Sequence, residues 1–449
     1  MSDFIVLGGG LAGLTFAWEA TRRGKQVVVL ERGAQVGGLA RTLAFGDYRF
    51  DIGGHRFVSK WPHITEWVLE LMGDDMLKVP RRSRIHLNGR FVNYPLEMPN
   101  ALTAFSLPKA LHVVASYLKT WFLSTNHQEA LSFEDWVVHR FGRALYEIYF
   151  RPYTEKVWGI PCTELSADWA SQRIKLPSLG TAVKGSLLGA TAPPGTLVSR
   201  FHYPRLGIGM IPDRLARQTE ATGRGTIHLS AEVCRLENDD EDGWRVHYRQ
   251  GGERKHVTGQ KVISTIPLID LVEMLPDVDG VPPAPYRALS YRSLTCVFLS
   301  VDSSQISSDT WTYFPEPELT VGRTHEPPNW SRDMAPPGST SLCVEIFCTE
   351  GDDVWRREDE ELVNAVLQDL DGLGFLARER VQDSWVHRVA DAYPVYHVGY
   401  ADILHQVRDY LTRWSSLHLT GRTGSFEYMN MDKVIKEALR LAEDLAGAA

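Results

Sequence analysis

The apolar positions of this chain change period several times, and the changes outline its elements. Phe4-Ile5-Val6-Leu7 is an unbroken apolar run, which predicts a parallel strand buried on both faces. Leu14, Ala17, Trp18 and Thr21 then recur at helical spacing, Gly24 closes that helix, and Gln26–Leu30 predicts a second strand ending in Glu31. From Arg81 to Pro194 helical spacing dominates, with helices expected over Leu102–Leu123 and Phe133–Phe150 and Ser132 as N-cap of the latter. Strand patterns return at Ile227–Leu229, Glu232–Leu236, Trp244–Arg249 and Lys261–Thr265, with Asp239–Gly243 as a solvated turn. Further strands are expected over Leu294–Val301 and Ser341–Cys348, separated by the Pro-rich loop Glu326–Pro337. A helix over Asp359–Leu370, a strand at Leu417–Leu419 and an amphipathic helix from Asp432, its expected N-cap, to Ala446 complete the pattern. The alternation of strands and helices gives an α/β class, α+β when the whole chain is considered.

The first turn carries chemistry. Gly8, Gly10 and Gly13 fit GxGxxG between the first strand and its helix, with Leu11 and Ala12 between them. In such a βαβ unit the glycines let the backbone approach a pyrophosphate at the helix N-terminus, and the carboxylate at the second strand tip, Glu31, accepts hydrogen bonds from a ribose diol. The motif alone leaves NAD and FAD open. Gly37-Gly38-Leu39-Ala40-Arg41-Thr42 favours FAD, because large flavoproteins use a second glycine pair and an arginine to wrap the diphosphate and ribityl chain. An acidic Glu31 argues against a 2′-phosphate.

Composition removes other classes. The 449 residues include 48 Lys plus Arg against 56 Asp plus Glu, a net charge of −8, so no general basic field exists for nucleic acid. With 43% hydrophobic and 23% charged residues the chain is ordinarily globular, and its 13 Trp, 16 Tyr and 17 Phe exceed what cores commonly need. Five cysteines without CxxC spacing specify neither a disulfide framework nor zinc, and are expected reduced and mostly buried. The start MSDFIVLGGG has no basic n-region, which points to a cytoplasmic protein. Pro108, Lys109, His112 and Lys119 interrupt the most apolar stretch, so no stable membrane insertion is expected. No Ser-His-Asp order, HExxH, Walker loop or metal-ligand spacing is present, and no metal is expected.

Several blocks together resemble FAD-dependent proteins of the UDP-galactopyranose mutase, protoporphyrinogen oxidase and amine oxidase type. Four stretches resemble the mutase branch. They are Asp51-Ile52-Gly53-Gly54-His55-Arg56-Phe57; the run from Phe150 to Trp158, FRPYTEKVW; Tyr291-Arg292-Ser293-Leu294 with Arg323-Thr324-His325-Glu326; and Gly421 to Asp432, GRTGSFEYMNMD, preceded by Tyr393-Pro394-Val395. Thr154 and Asn430 depart from the residues usual there, and the uridine-binding region is not recognisable. The resemblance implies a two-dinucleotide-binding-domain, Rossmann-like FAD fold of the GR2 type, with a discontinuous FAD domain over 1–78, 205–270 and 405–449. A substrate domain of helices plus an antiparallel sheet would occupy 79–204 and 271–404.

The same resemblance implies roles. To FAD it assigns Gly8, Gly10, Leu11, Ala12, Gly13, Glu31, Arg32, Gly38, Leu39, Ala40 and Arg41, then Gly53, Gly54, His55, Val233, Gly421, Arg422, Asn430, Met431 and Asp432. His55, Arg422 and Trp158 would serve catalysis, with Arg173 and Arg323 on substrate phosphate and Tyr393, Tyr428 and Asn430 on the substrate. The implied reaction is redox-neutral: reduced flavin N5 attacks the anomeric carbon of a nucleotide-activated or otherwise phosphorylated sugar, the ring opens, and reclosure interconverts pyranose and furanose forms. FAD would be kept reduced, for example by NAD(P)H. The alternative is net oxidation by an amine oxidase, desaturase or protoporphyrinogen-oxidase-like dehydrogenase, and a flavin carrier is a third reading. The sequence specifies no oligomer.

Overall fold

The computed structural model describes residues 1–87, 89–94, 107–123, 130–174, 199–239, 243–276 and 284–447. Two seven-stranded sheets organise them. In the first, strands Leu417–Leu419, Glu253–Ser264, Ser2–Leu7, Val27–Leu30 and Gly225–His228 lie side by side and parallel. Successive residues of the opening strand feed opposite layers, as a strand period of two requires. Phe4 and Val6 pack with Phe16, Ala17, Ala438 and Ala442 of the helices Leu11–Arg22 and Met431–Ala446, while Ile5 and Leu7 pack with Trp244, Leu271 and Tyr410 on the other face.

Glu253–Ser264 is twice the length its apolar half, Lys261–Thr265, predicts. Its polar first half pairs antiparallel with Gly243–Gln250, which pairs with Glu232–Asp239, so this end of the strand belongs to an exposed meander. The expected turn between those two strands includes residues 240–242, which lie outside the described residues.

The second sheet runs in the order Val381–Pro394, Tyr291–Val301, Thr340–Cys348, Arg323–His325, Trp311–Tyr313, Ser83–Leu87, Arg90–Asn93. The last two form a hairpin in a region the spacing reads as helical, and Val381–Pro394 has no counterpart among the expected strands. Helix Asp359–Gly372 covers one face through Leu362, Val366 and Leu370. Against the other lies a second hairpin, Thr42–Phe45 and Tyr48–Asp51, where Phe50 stacks on Phe298 at 4.7 Å.

The expected helix Phe133–Phe150 is broken. Ser132 does cap it, in a capping box with Asp135, but the helix stops at Phe141 where Gly142 takes φ +83°. A short helix and a wide turn over Tyr146–Phe150 lead into Arg151–Trp158, with Pro152 in its first turn. Of the expected Leu102–Leu123 helix, Leu107–Leu123 is helical and 102–106 lie outside the described residues.

Two cations, half-buried Lys156 and buried Arg292, fix the Arg151–Trp158 helix to the second sheet. Lys156 Nζ donates to the carbonyls of Phe314, Glu316 and Val321 at 2.7–2.9 Å, and burial lowers its pKa to about 8. Arg292 donates from Nε to Val157 O at 2.8 Å and from Nη2 to Lys156 O at 3.2 Å, satisfying carbonyls at the helix end. Lys156→Met takes a donor from three carbonyls, of which only that of Glu316 keeps another, from Leu319 N–H, and is expected to lower unfolding free energy by about 2–4 kcal/mol in denaturant titrations.

Candidate functional site

The parallel register places the last residues of five strands in one row: His228, Leu30, Leu7, Ser264 and Leu419. The loops leaving this row surround a cavity of about 340 Å³. Its wall contains Gly8, Gly10, Leu11 and Ala12, then Leu30 to Gly33, Ala231 to Val233, Thr265 to Pro267 and Gly421 to Thr423. Gly37 to Arg41 close one side, and His55, Val389, Asp391, Met429, Met431 and Val434 another.

The residues here fit a dinucleotide. A Cβ on Gly13 would lie 2.1 Å from Gly8 O, so only glycine lets the first helix approach the strand end and aim its N-terminus into the cavity. The second glycine segment is drawn alongside by Gly37 N–H donating to Gly9 O at 2.8 Å, and a Cβ on Gly38 would stand 3.3 Å from Gly10 Cα. Glu31 joins the loops that follow the first and second strands. Its Oε2 accepts from Gly9 N–H and its Oε1 from Gly33 N–H, each at 2.7 Å, and both oxygens keep a lone pair for a diol. Arg41 lines the cavity with its buried Nε lacking a partner among the described residues. A glycine cradle, two helix N-termini and an orphaned guanidinium N–H together suit the diphosphate of an elongated ligand.

The second N-terminus starts one residue before the expected point. Asn430, exposed, is the N-cap of Met431–Ala446 and makes no side-chain cap bond. Asp432 is in the first turn, where its Oδ1 accepts from Lys433 N–H at 2.9 Å, so it is not the cap but still puts a carboxylate at the positive helix end.

At the inner end, Arg422 donates to Met429 O (3.0 and 2.7 Å) and Ala392 O (3.2 Å), and lies over the rings of Tyr393 and Tyr428, 5.4 and 5.0 Å from their centroids. Those rings stack on each other at 5.9 Å. His55 Nδ1 is 3.4 Å from Gly53 O, and burial together with the charges of Arg422 and Arg323 lowers its pKa to about 4, so it is neutral at pH 7. Asp51, at the start of the same loop, is buried and accepts from Thr42 Oγ1 (2.6 Å), Tyr203 Oη (2.6 Å) and Ile208 N–H (3.1 Å).

Two expected site residues stand behind the wall of the cavity. Trp158 is only 3% exposed and packs its edge against Trp169 at 4.5 Å, behind Tyr393, because the helix carrying it faces an aromatic core. Arg323 is paired with buried Glu345 and donates to Tyr393 Oη at 3.2 Å, so it is not a free cation awaiting phosphate. Arg173 ends the helix Ala167–Arg173, and its side chain lies outside the described residues. Gly13, Gly53, Gly54, Tyr393, Tyr428, Asn430 and Asp432 are not part of the cavity wall. The wall also holds Thr265, Asp270 and Asp391, which spacing does not single out. Glu345 did leave a signal, a lone carboxylate inside the apolar run SLCVEIFC.

A parallel sheet opening through glycine turns onto such a cavity defines a dinucleotide-binding protein. The family model of flavin containing amine oxidoreductases matches residues 11–446, and the chain belongs to that family, as an FAD-dependent enzyme of the superfamily. Among its relatives, coproporphyrinogen III oxidase of Mycobacterium tuberculosis is 24% identical over 437 residues, covering 90% of each chain. A probable UDP-galactopyranose mutase of Klebsiella pneumoniae is 24% identical over 172 residues, 37% of this chain and 43% of that one. In fold, a reduced UDP-galactopyranose mutase superposes with TM-score 0.87 at 20% identity, covering 100% of this chain and 96% of the other. A putative protoporphyrinogen oxidase from Exiguobacterium sp. 255-15 gives 0.75 at 19% identity, covering 99% and 98%. Among the described residues no helix is long and apolar enough to cross a membrane.

The neutral His55 has a pH signature. With a folded pKa of about 4 and an unfolded one of about 6.5, its contribution is fully present above pH 6.5 and is lost as pH falls to about 4. Asp51 and Asp391, raised by burial to about 6, act in the opposite sense, so the test is a difference between proteins. Relative to His55→Gln, the native chain should lose up to about 1.4 kcal/mol of stability per pH unit between those limits, measured by denaturant titration.

Proposed function

We propose that this protein rearranges a sugar carried on a nucleotide diphosphate, interconverting its pyranose and furanose forms without net oxidation. The observation that carries the reading is the layer behind the inner end of the cavity, where the wall residue Arg422 covers the stacked phenols Tyr393 and Tyr428 and Arg323 donates to Tyr393 Oη. Phenol and guanidinium donors suit phosphate and hydroxyl oxygens better than they suit an apolar polyene, which offers them no acceptor. The mutase fold and the partial Klebsiella alignment support the same reading.

In this proposal the glycine turns, Glu31, Arg32, Gly38 to Arg41, Val233, His55, Gly421 and the N-terminus at Met431 hold FAD. Bound and kept reduced by an external donor such as NAD(P)H, FAD would supply a nucleophile for the anomeric carbon. The chain's own residues then have positional work. Arg422, anchored on two carbonyls, keeps its charge over the two phenols as they donate to the departing diphosphate. Neutral His55 can exchange a hydrogen bond without adding charge. Arg173 joins the phosphate contacts on the strength of its sequence context, and Trp158 acts by backing Tyr393 rather than by touching substrate.

A second reading, net oxidation, draws on the mycobacterial oxidase aligned along 90% of this chain. Anaerobic incubation of dithionite-reduced protein with a panel of nucleotide sugars separates the two. The proposal predicts isomeric products of unchanged mass, formed only by reduced protein. Turnover by oxidised protein alone in a parallel aerobic assay, in which a porphyrinogen or an amine is oxidised and dioxygen is reduced to hydrogen peroxide, would replace it with the second reading.

A further inference from the structure

All nine positions of the strand Thr340–Cys348 are buried, and its one charged residue, Glu345, has zero exposure. A carboxylate between Val344 and Ile346 is costly unless its oxygens are paired. Its partners come from two separate parts of the chain. Oε1 accepts from the backbone N–H of Gly54 at 3.1 Å, while Oε2 accepts from Arg323, at 3.1 Å from Nε and also from Nη2. Arg323 stands directly opposite Glu345 in the antiparallel register, and its guanidinium lies over the rings of Trp311 and Phe347 at 5.2 and 4.9 Å.

The turn above is built to this carboxylate. Gly53 takes φ +72°, and a Cβ there would lie 3.3 Å from the Glu345 carboxyl carbon. A Cβ on Gly54 would stand 2.4 Å from the Trp311 ring. The turn that presents His55 to the cavity is thus held between a carboxylate below and an indole above, and a side chain at either glycine would force it off both.

We propose that Glu345 is a positioning residue that locks the Gly53–Gly54–His55 turn and Arg323 into one unit and cancels the charge of Arg323. The anion affinity of the inner end is then set by a buried carboxylate and not by the arginine alone. A bare guanidinium in this aromatic surround would hold a diphosphate tightly; the paired one offers its remaining N–H donors without a net charge, so that a diphosphate can bind and leave. The inference deepens the reading above and rests on it for the diphosphate, while its test needs no sugar turnover.

Two substitutions move the balance in opposite directions. Glu345→Gln keeps an acceptor for Gly54 N–H and removes the countercharge, whereas Arg323→Gln removes the cation and leaves the carboxylate. The FAD-loaded protein is titrated with inorganic pyrophosphate by calorimetry, and the flavin midpoint potential is measured in parallel. Glu345→Gln should bind pyrophosphate about fivefold or more tighter and shift the potential positive; Arg323→Gln should bind it about fivefold or more weaker and shift the potential negative. Shifts of the same sign in both variants, or no change in affinity and potential, overturn the proposal. Loss of FAD from both without opposite shifts in pyrophosphate affinity also overturns it, since that is what a purely structural role predicts. If Glu345→Gln does not fold, the double variant Glu345→Gln/Arg323→Gln decides: it should bind pyrophosphate more tightly than Arg323→Gln, and equal or weaker binding overturns the proposal. Because the probe is pyrophosphate, a failure of the sugar reading leaves these outcomes interpretable.

Discussion

The register of the parallel sheet, which ends five strands side by side at His228, Leu30, Leu7, Ser264 and Leu419, makes the chain leave the sheet five times along one edge. Loops that diverge from a common edge leave a crevice between them, and here that crevice is the cavity. The approach at Gly13 narrows it from below and aims a helix N-terminus inward. The carboxylate of Glu31 then ties two neighbouring loops by their amides. A cofactor site of this kind is therefore a consequence of strand register, with the glycines removing what would otherwise fill it.

The second sheet supplies what the first cannot. Its strands carry Tyr393, Arg323 and Glu345, and the hairpin packed on its face leads through Asp51 into the turn bearing His55. Lys156 and Arg292 fasten the adjoining helix to the same sheet through main-chain carbonyls. The inner end of the cavity is thus set by packing between sheets. In a chain of net charge −8, its cations are individually placed and individually balanced: Arg422 by carbonyls, Arg323 by a buried carboxylate.

The first sheet was legible in the sequence because both of its signals are local. An apolar run followed by GxGxxG needs no knowledge of distant residues, and the same holds for the N-cap at Ser132. The second sheet was less so. Val381–Pro394 interleaves charged residues with Trp385 and Tyr393, Arg323–His325 is too short to show a period, and the equally short Trp311–Tyr313 pairs with the distant Ser83–Ile85. The site followed the same division. Gly8, Gly10 and Gly38 line the cavity, whereas the surroundings of Trp158 and Arg323 depended on partners, Trp169 and Glu345, that no spacing rule connects to them.

The account stands on a flavin held by the strand-end loops, and the stoichiometry of FAD in the purified protein tests this most directly. Denaturing the protein and quantifying the released flavin by absorbance and chromatography should give one non-covalent FAD per chain. A colourless protein that takes up no added FAD would contradict the account at its root.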